Sequence, residues 1–383
     1  MSDLIPFGRP FIDEREAEAV LGVLKSGTLV HGPHTVAFER AFAARSDALE
    51  AVAVSSCTAG LHLSLFALGI GPGDRVAVPA MTHVATAHAV ELVGARPYFV
   101  DVDAKTGNID VELLHSANIP NLRAIMPVHY LGLPCEMTAI CSYADSLGAA
   151  VIEDCALAVG STYEGRPVGT AGLCGSFSFY PTKQMTSIEG GMVVTNDAAF
   201  AATLRKVRAF GYSKSLEERS RPGQYDVNQL GFNYRMSEVE AAVGLVQMDK
   251  LDLILDLRRR NYEFLAAEID QVDGVKTFPT KHGRGQASHY CFNIVLSSEH
   301  IHLRDAIQDK LSTAGIGTSI HYPSAVPQFT YYREKYGYVK GQFPVAEWLA
   351  SGTISLPVGP QVQAEQAVAM ARTVRETLER LLA

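Results

Sequence analysis

Short apolar runs alternate with longer segments of helical pattern over the first three quarters of the chain, and this alternation constrains the fold most strongly. Apolar runs joined by helices are typical of strands covered on both faces, which form largely parallel sheets. The pattern predicts an α/β fold whose mostly parallel seven-stranded sheet is flanked by helices. The predicted strands are residues 51–54, 75–78, 97–100, 124–128, 149–152, 175–179 and 192–195.

A long helix is predicted to follow this region. Ser237 and Glu240 form a capping box, and apolar residues recur behind them at helical spacing. The remainder of the chain indicates a smaller α+β domain. We therefore predict a large domain over residues 1–250, which includes the N-terminal segment and the start of the long helix. The small C-terminal domain is predicted over residues 251–383.

The composition argues against several classes of protein. A net charge of −8 is unusual for a nucleic-acid binder, which is normally basic. The first residues do not resemble a secretory signal, and the sequence shows no run of about 20 apolar residues that would span a membrane. The six cysteines form no CxxC pair and no zinc-like spacing. We therefore expect no metal and a reducing, cytoplasmic location.

Lys183 and Asp154 are the two residues that most strongly suggest chemistry. Asp154 ends an apolar run, and Lys183 follows the apolar segment 177–180. Partial burial lowers the pKa of a lysine and makes its amine a nucleophile. A buried carboxylate can keep a ring nitrogen protonated, and these two groups are the ones that pyridoxal phosphate most needs. Taken singly, Lys183 could be a surface charge and Asp154 a helix cap; together they favour the cofactor.

A phosphate site is predicted where a strand meets a helix. Residues 55–60 are small or carry hydroxyls, so backbone N–H groups stay accessible at the positive end of a helix. Ser178, five residues before Lys183, could add a hydroxyl, although it could equally be an ordinary strand residue. His83 follows another strand and could be a residue that starts a helix. In parallel sheets, ligands bind beyond the carboxyl ends of the strands, where these residues are expected.

In their order along the chain, these residues resemble the DegT family of sugar-nucleotide aminotransferases, which are fold-type I pyridoxal-phosphate enzymes. The resemblance runs nearly from end to end. The matching segments are residues 5–10, 26–27, 32–33, 38–39, 56–59, 79–86, 127–132, 152–154, 177–183, 189–191, 233–236, 238, 241–242 and 321–323.

The resemblance implies a catalytic role for Lys183, which would hold the cofactor as an internal aldimine and later move protons. It implies that Asp154 pairs with the ring nitrogen and that His83 occupies the position that stacks on the ring. The cofactor phosphate would be bound by three residues. They are Thr58, Ala59 and Ser178.

The resemblance also implies a homodimer with shared active sites. Asn233 is similar to the asparagine that reaches the phosphate of the other subunit's cofactor. His321 and Tyr322 fall in a segment that lies near the active-site mouth in relatives and are candidate substrate residues. One departure concerns Leu157, which stands where many members have glutamine or histidine near the phenolic oxygen of the cofactor. Leucine cannot donate a hydrogen bond there.

The implied reaction moves an amino group from L-glutamate to a keto group of a nucleotide-linked keto-deoxysugar, as in aminosugar biosynthesis for lipopolysaccharides or antibiotics. The cofactor would alternate between its pyridoxal and pyridoxamine forms. Other acceptors remain open, such as a free sugar or a cyclitol, because the loops 208–229 and 322–329 would set specificity. Dehydration of a ketosugar is a lesser alternative, since the members that dehydrate carry histidine in place of Lys183. A non-catalytic binding protein is a third alternative, which has no need of a reactive amine.

Overall fold

A seven-stranded mixed sheet forms the centre of the molecule. The computed structural model describes residues 4–213, 221 and 223–382. The sheet strands are β1 (Glu50–Val54), β2 (Arg75–Pro79), β3 (Arg96–Val100), β4 (Leu122–Ile125), β5 (Ala150–Asp154), β8 (Cys174–Ser178) and β9 (Gly191–Thr195). Their spatial order is β1-β9-β8-β5-β4-β2-β3.

The other strands form two small sheets. A three-stranded antiparallel sheet belongs to the C-terminal region, and a four-stranded sheet joins that region to the loop after β5. The first contains β10 (Val275–Thr277), β13 (Phe292–Leu296) and β14 (Thr353–Leu356), and the second contains β6 (Thr162–Tyr163), β7 (Arg166–Pro167), β11 (Lys281–His282) and β12 (Gly285–Gln286).

Helices cover the sheets and join the strands. The helices of the first two thirds are α1 (Glu14–Ser26), α2 (Pro33–Arg45), α3 (Cys57–Ala67), α4 (Val84–Leu92), α5 (Val111–Ser116), α6 (Met137–Leu147), α7 (Ala198–Val207) and α8 (Glu238–Ile269). The last four are α9 (Arg304–Thr313), α10 (Thr330–Tyr336), α11 (Pro344–Gly352) and α12 (Ala364–Leu382). Within the described residues, none of these helices combines the length and apolarity needed to cross a bilayer.

All seven predicted strands are confirmed, and the fold is the predicted α/β architecture with a mostly parallel sheet flanked by helices. β8 and β9 are buried at every position, as expected of strands covered on both faces. The one antiparallel member is β9, which pairs in the opposite direction with both β1 and β8. Its apolar residues predicted burial, but burial does not specify strand direction.

The parallel strands bring the predicted site residues to one edge of the sheet. β5 pairs with β8 in parallel register, with Asp154 opposite Ser176. Ser178 is therefore at the same edge, as the last residue of its strand. Val54 ends β1, which runs in the same direction, and Ser56 then caps α3. The carboxyl ends of these strands meet where α/β sheets bind ligands.

The long helix α8 connects the two regions. The predicted capping box is present, since the Ser237 hydroxyl accepts from the Glu240 N–H and the Glu240 carboxylate accepts from the Ser237 N–H. The predicted domain boundary at residue 250 falls inside this 32-residue helix and stays a prediction. Core side chains of α8, such as Leu265, pack with β13, β14 and α12. The N-terminal Ile5 forms a bridge with Ile316 and contacts this C-terminal core.

Candidate functional site

Lys183 has a fixed backbone and an unpaired amine. Its N–H donates to the Tyr180 carbonyl at 2.9 Å, and its carbonyl accepts from Arg258 at 3.1 Å. Nζ lies 5.3 Å from the centroid of the Tyr290 ring and forms no salt bridge within the described part of the chain. Burial lowers the pKa of Lys183, although the nearby Asp154 carboxylate acts in the opposite direction. The amine is therefore neutral more often than that of a surface lysine.

Asp154 is a buried carboxylate. It forms no salt bridge with any basic side chain of the described residues. Its side chain accepts from the Thr86 hydroxyl at 2.8 Å and from the Ala156 N–H at 3.1 Å. The second bond resembles the capping role considered from the sequence, but no regular helix begins here. A buried anion without a cationic partner is costly, which makes it a strong partner for a positively charged ligand group.

The neighbouring Glu153 lies on the opposite face of β5 and has a separate set of partners. Its carboxylate accepts from Nε2 of His129 and from the N–H groups of Gly169, Ala171 and Gly172, each at 2.9 Å. Burial would raise the pKa of Glu153, but these hydrogen bonds lower it overall. Because Glu153 is fully engaged, it anchors β5 while Asp154 faces the site.

The start of α3 forms the predicted phosphate site. The Ser56 hydroxyl accepts from the Ala59 N–H at 3.1 Å, so Ala59 already has a partner. Thr58 is half-buried, and its N–H and hydroxyl make no hydrogen bond to another described residue. The first N–H groups of a helix need partners and favour an anion. Thr58 therefore offers more binding capacity than Ala59 does.

Ser178 can contribute to the same anion site. Its side chain is almost fully buried, and its oxygen accepts a long bond of 3.4 Å from the Tyr180 N–H. The hydroxyl proton has no partner of its own among the described residues, so it can be donated to a bound ligand.

His83 and Tyr322 lie together at the rim of the site. The sequence alternative for His83 is present, because its Nδ1 accepts from the Ala85 N–H and caps α4. Its ring centroid also lies 5.7 Å from that of Tyr322. Burial and the charge of Lys183 lower the pKa of His83, so its ring is neutral at physiological pH. A neutral ring can pack against a second ring without a charge penalty.

His321 is a buried neutral histidine beside these rings. Its Nδ1 lies 2.9 Å from the Ser355 hydroxyl, and its ring centroid is 5.3 Å from that of Tyr290. Burial, together with smaller contributions from the nearby Lys183 and His83, lowers the pKa of His321 to about 3. His321 and Tyr322 are thus near Lys183, whereas they are more than 130 residues from it in sequence.

The side chain of Asn233 makes no hydrogen bond to these residues within the part of the chain that the structure describes. Its side chain is exposed, and its oxygen accepts from Nε of Arg235 at 2.9 Å. Arg235 in turn packs over the Phe210 ring. Part of the adjoining specificity loop, residues 214–220 and 222, is outside the described residues.

Leu157 is buried and offers only its backbone to polar neighbours. Its carbonyl accepts from the side-chain amide of Gln184, the residue after Lys183. The Gln184 amide also donates to the Ser288 hydroxyl at 2.9 Å, while its buried Oε1 finds no partner in the described part of the chain. The glutamine or histidine that the sequence pattern would place here is absent, so no side-chain donor comes from position 157.

One group of three residues could superficially suggest a metal. Ligand atoms of His129, Glu153 and Cys155 all lie within 4.8 Å of one another. However, both ring nitrogens of His129 are already hydrogen-bonded, to Glu153 and to the Cys135 N–H. Burial also raises the pKa of the Cys155 thiol, which disfavours the thiolate that binds metals. We assign this group a structural role.

The site residues fit pyridoxal phosphate. Three features match three parts of the cofactor: the unpaired amine of Lys183 matches the aldehyde, the buried Asp154 carboxylate matches the ring nitrogen, and the helix start at Thr58 matches the phosphate. This donor set, at the carboxyl edge of a mostly parallel sheet, defines a pyridoxal-phosphate-dependent enzyme of fold-type I.

Comparison with known proteins identifies the family. The sequence pattern of the DegT/DnrJ/EryC1/StrS aminotransferase family matches residues 10–375. A curated relative, the uncharacterised protein MJ1066 of Methanocaldococcus jannaschii, is 36% identical over 380 residues, which cover 98% of this chain and 97% of the relative. The chain belongs to this aminotransferase family, and the resemblance found in the sequence is confirmed.

Solved structures agree with this assignment. The PMP form of Spr1654 from Streptococcus pneumoniae, assigned as a sugar aminotransferase, superposes with a TM-score of 0.93 at 26% identity and covers 98% of this chain and 100% of its own. DesV from S. venezuelae, solved in complex with a ketimine intermediate, has a TM-score of 0.88 at 33% identity, covering 98% and 99%. The chain is a pyridoxal-phosphate-dependent aminotransferase.

Proposed function

We propose that this aminotransferase moves an amino group from L-glutamate to a keto group of a nucleotide-linked keto-deoxysugar in a ping-pong cycle. The observation that carries the proposal is the buried, unpaired Nζ of Lys183, which lies near enough to the buried carboxylate of Asp154 for the two charges to interact. The sugar substrate is supported by the assignment of Spr1654 as a sugar aminotransferase.

Lys183 is the residue that moves protons in this proposal. Pyridoxal phosphate, when bound, supplies a ring that withdraws electrons from the carbon that loses its proton. The lowered pKa of Lys183 allows Nζ to be neutral when it takes that proton and cationic when it returns it. Dehydration is disfavoured because a lysine is present at this position.

The remaining residues bind and orient. Asp154 would keep the ring nitrogen protonated, and its position is fixed by Thr86. Thr58, with Ala59 beside it, and Ser178 would hold the phosphate, and the neutral ring of His83 would stack on the cofactor. His321 and Tyr322, near the mouth, would contact the substrate. Both are hydrogen-bonding groups that stay uncharged at neutral pH, because burial lowers the pKa of His321 and raises that of Tyr322.

We also propose a homodimer in which Asn233 from one copy reaches the cofactor phosphate of the other. Asn233 is exposed, and its side-chain oxygen accepts from Arg235 rather than from a predicted site residue of its own chain among those described. Around it, large apolar side chains are exposed, and such clusters mark protein interfaces. They are Leu29, Val30, Val36, Phe210, Val227 and Leu230.

A groove beside this apolar surface supports the dimer proposal, since a second copy would dock there. It has a volume of about 970 Å³, and its lining includes Val36, Arg208 and Arg235.

The free cysteines, five of which are buried, fit the reducing cytoplasm expected for the enzyme.

The substrate proposal is tested with purified enzyme, L-glutamate and a panel of ketones. The panel contains nucleotide-linked ketosugars that differ in the position of the keto group, the same sugars without nucleotide, and a cyclitol ketone. We expect 2-oxoglutarate and an aminosugar only with nucleotide-linked acceptors, and neither with Lys183→Ala. Equal turnover of the free sugar or the cyclitol, or no 2-oxoglutarate with any acceptor, would contradict the proposal.

A further inference from the structure

Arg258 is a buried cation without an acidic partner in the described residues. Arg258 is only 6% exposed, and its Nε has no hydrogen-bond partner among the residues that the structure describes. Burial lowers the pKa of Arg258 to about 10, which still leaves it charged at neutral pH. Buried arginines are normally paired with acids, since an unpaired ion loses its hydration without compensation. Such a residue calls for an explanation beyond packing.

Arg258 makes two hydrogen bonds, and both acceptors belong to residues next to the Lys183 amine. One terminal nitrogen donates to the Lys183 carbonyl at 3.1 Å, and the other donates to the Tyr290 carbonyl at 2.8 Å. Tyr290 is the residue whose ring lies 5.3 Å from Nζ of Lys183. One guanidinium therefore fixes both the peptide that carries the amine and the peptide that carries the ring next to the amine.

This contact completes the restraint on the Lys183 backbone. The N–H of Lys183 is held by a local turn to Tyr180, but its carbonyl is held only from α8. The next residue, Gln184, is fixed separately through Leu157 and Ser288. Because the planar guanidinium has two donors at a fixed spacing, it sets the distance between the two carbonyls more rigidly than a lysine could.

We infer that Arg258 is a positioning residue that holds the Lys183 amine in the orientation needed to attach pyridoxal phosphate and to move protons. The inference rests on the proposed role of Lys183. A small displacement of a reacting group can slow a reaction about 100-fold, so loss of this clamp affects attachment of the cofactor before it affects the phosphate site.

The test separates binding from attachment in cofactor-free protein. Pyridoxamine phosphate binds the same site but has no aldehyde, so its affinity reports the pocket without the amine. The rate at which pyridoxal phosphate becomes covalently attached reports the amine. Three variants are compared with the wild type: Arg258→Met, which keeps the length of the side chain, Arg258→Lys, which keeps the charge, and Arg259→Met. Arg259 is the matched control, because it is adjacent on α8, exposed, and paired with Asp256 and Glu263 of its own helix.

We expect R258M to bind pyridoxamine phosphate within about twofold of wild type and to attach pyridoxal phosphate at least about tenfold more slowly. The pH profile of attachment is expected to change as well. R258K should recover part of the rate through one carbonyl, and R259M should match wild type. If R258M does not fold, R258K decides. Attachment of pyridoxal phosphate that is slower than in wild type, with an unchanged affinity for pyridoxamine phosphate, then supports the inference.

Two results would overturn the inference. One is attachment at the wild-type rate in R258M, or in R258K where R258M does not fold. The other is an equal loss of pyridoxamine phosphate affinity and attachment rate, which would show a general packing role. Failure of the wild-type protein to attach the cofactor through Lys183 would instead overturn the proposed function itself.

Discussion

At the scale of single residues, the site depends on Asp154 and Lys183, two buried groups of opposite charge. Their surroundings stabilise them in different ways. Asp154 is stabilised by a hydroxyl and an N–H, without a cation from the described residues. Lys183 has no acceptor at all for its amine within that part of the chain, and burial shifts its pKa downward. Each group therefore keeps an unused capacity for a ligand, which is typical of functional rather than structural residues.

Asp154→Asn should remove the charge while keeping the shape of the side chain. The Ala156 N–H can still donate to the amide oxygen, and the Thr86 hydroxyl, which bonds the other carboxylate oxygen, can instead accept from the amide nitrogen. We expect the cofactor to bind but kcat to fall by about 100-fold or more, because the ring nitrogen loses its counter-charge. The measurement is kcat together with cofactor occupancy, and Asp103→Asn on a partly exposed turn is the control. Activity near wild type at full occupancy would contradict the role given to Asp154.

His289 should make stability depend on pH. It is 8% exposed, and burial lowers its pKa from 6.5 to about 4. The unfolded chain therefore binds a proton that the folded chain does not bind between these values. Stability from this residue is fully present above about pH 6.5 and is lost as the pH falls toward about 4, by about 2 kcal/mol at about pH 5.

His289→Asn tests this dependence, since asparagine tolerates the positive φ of 56° at this position. Denaturant unfolding at about pH 7.5 and about pH 5 gives the free energy of unfolding of each protein. The variant is expected to lose about 2 kcal/mol less than wild type on acidification. Equal losses in the two proteins would show that His289 titrates normally in the folded state.

At the scale of elements, β5 holds the site in place because its side chains alternate between the two faces of the sheet. Successive residues of a strand point to opposite faces, so Glu153 and Asp154 separate anchoring from chemistry. Glu153 bonds His129 and the N–H groups of a loop, and thereby ties β5 to residues 169–172.

Glu153→Gln should destabilise the fold, because a glutamine amide turns a donor toward backbone N–H groups that need an acceptor. We expect a loss of about 2 to 3 kcal/mol in the free energy of unfolding. Glu112→Gln, on the exposed surface of α5, is the matched control and should change stability by less than about 0.5 kcal/mol. A similar small effect for both variants would show that the Glu153 network does not anchor the strand.

The sequence predicted these elements well where burial alone decides structure. The seven strands and the capping box at Ser237 follow from local pattern, and they are confirmed. The role of Arg258 was not predictable, since an arginine in a helix is ordinarily exposed and its contact with Lys183 spans 75 residues. The adjacent Arg259 is indeed exposed, so residue type and helical position alone do not distinguish the two.

The site was predictable to the extent that strand ends mark ligand sites. Asp154 and Ser178 were expected at the carboxyl edge and lie there. The Ser56 hydroxyl accepts from the Ala59 N–H, which leaves Thr58 with more capacity to bind the phosphate. This bond depends on the rotamer of one serine, which the sequence does not predict. The closeness of His83 and Tyr322 depends on how the C-terminal region folds back over the sheet, which local pattern does not specify.

At the scale of the whole molecule, the proposed dimer would place Asn233 in the site of a second copy. Lys183→Ala and Asn233→Ala proteins should each be nearly inactive in cofactor-dependent turnover. When the two are unfolded, mixed in equal amounts and refolded together, each mixed dimer contains one site with both Lys183 and Asn233 intact. Activity should return to about a quarter of wild type, as random pairing in a two-fold dimer requires.

The control for this experiment is the same mixture assembled without unfolding, in which subunits do not exchange. No recovery of activity after co-refolding would contradict the shared site. Such a result would place Asn233 in the site of its own chain.

The most direct test of the account is to reduce the purified, cofactor-loaded protein with borohydride and to map the modified peptide by mass spectrometry. Reduction fixes the bond between an amine and the aldehyde of the cofactor, so the label marks the reactive lysine. We expect one modified residue, Lys183, and no stable label in Lys183→Ala. Label on a different lysine, or cofactor that binds without becoming attached to any residue, would contradict it.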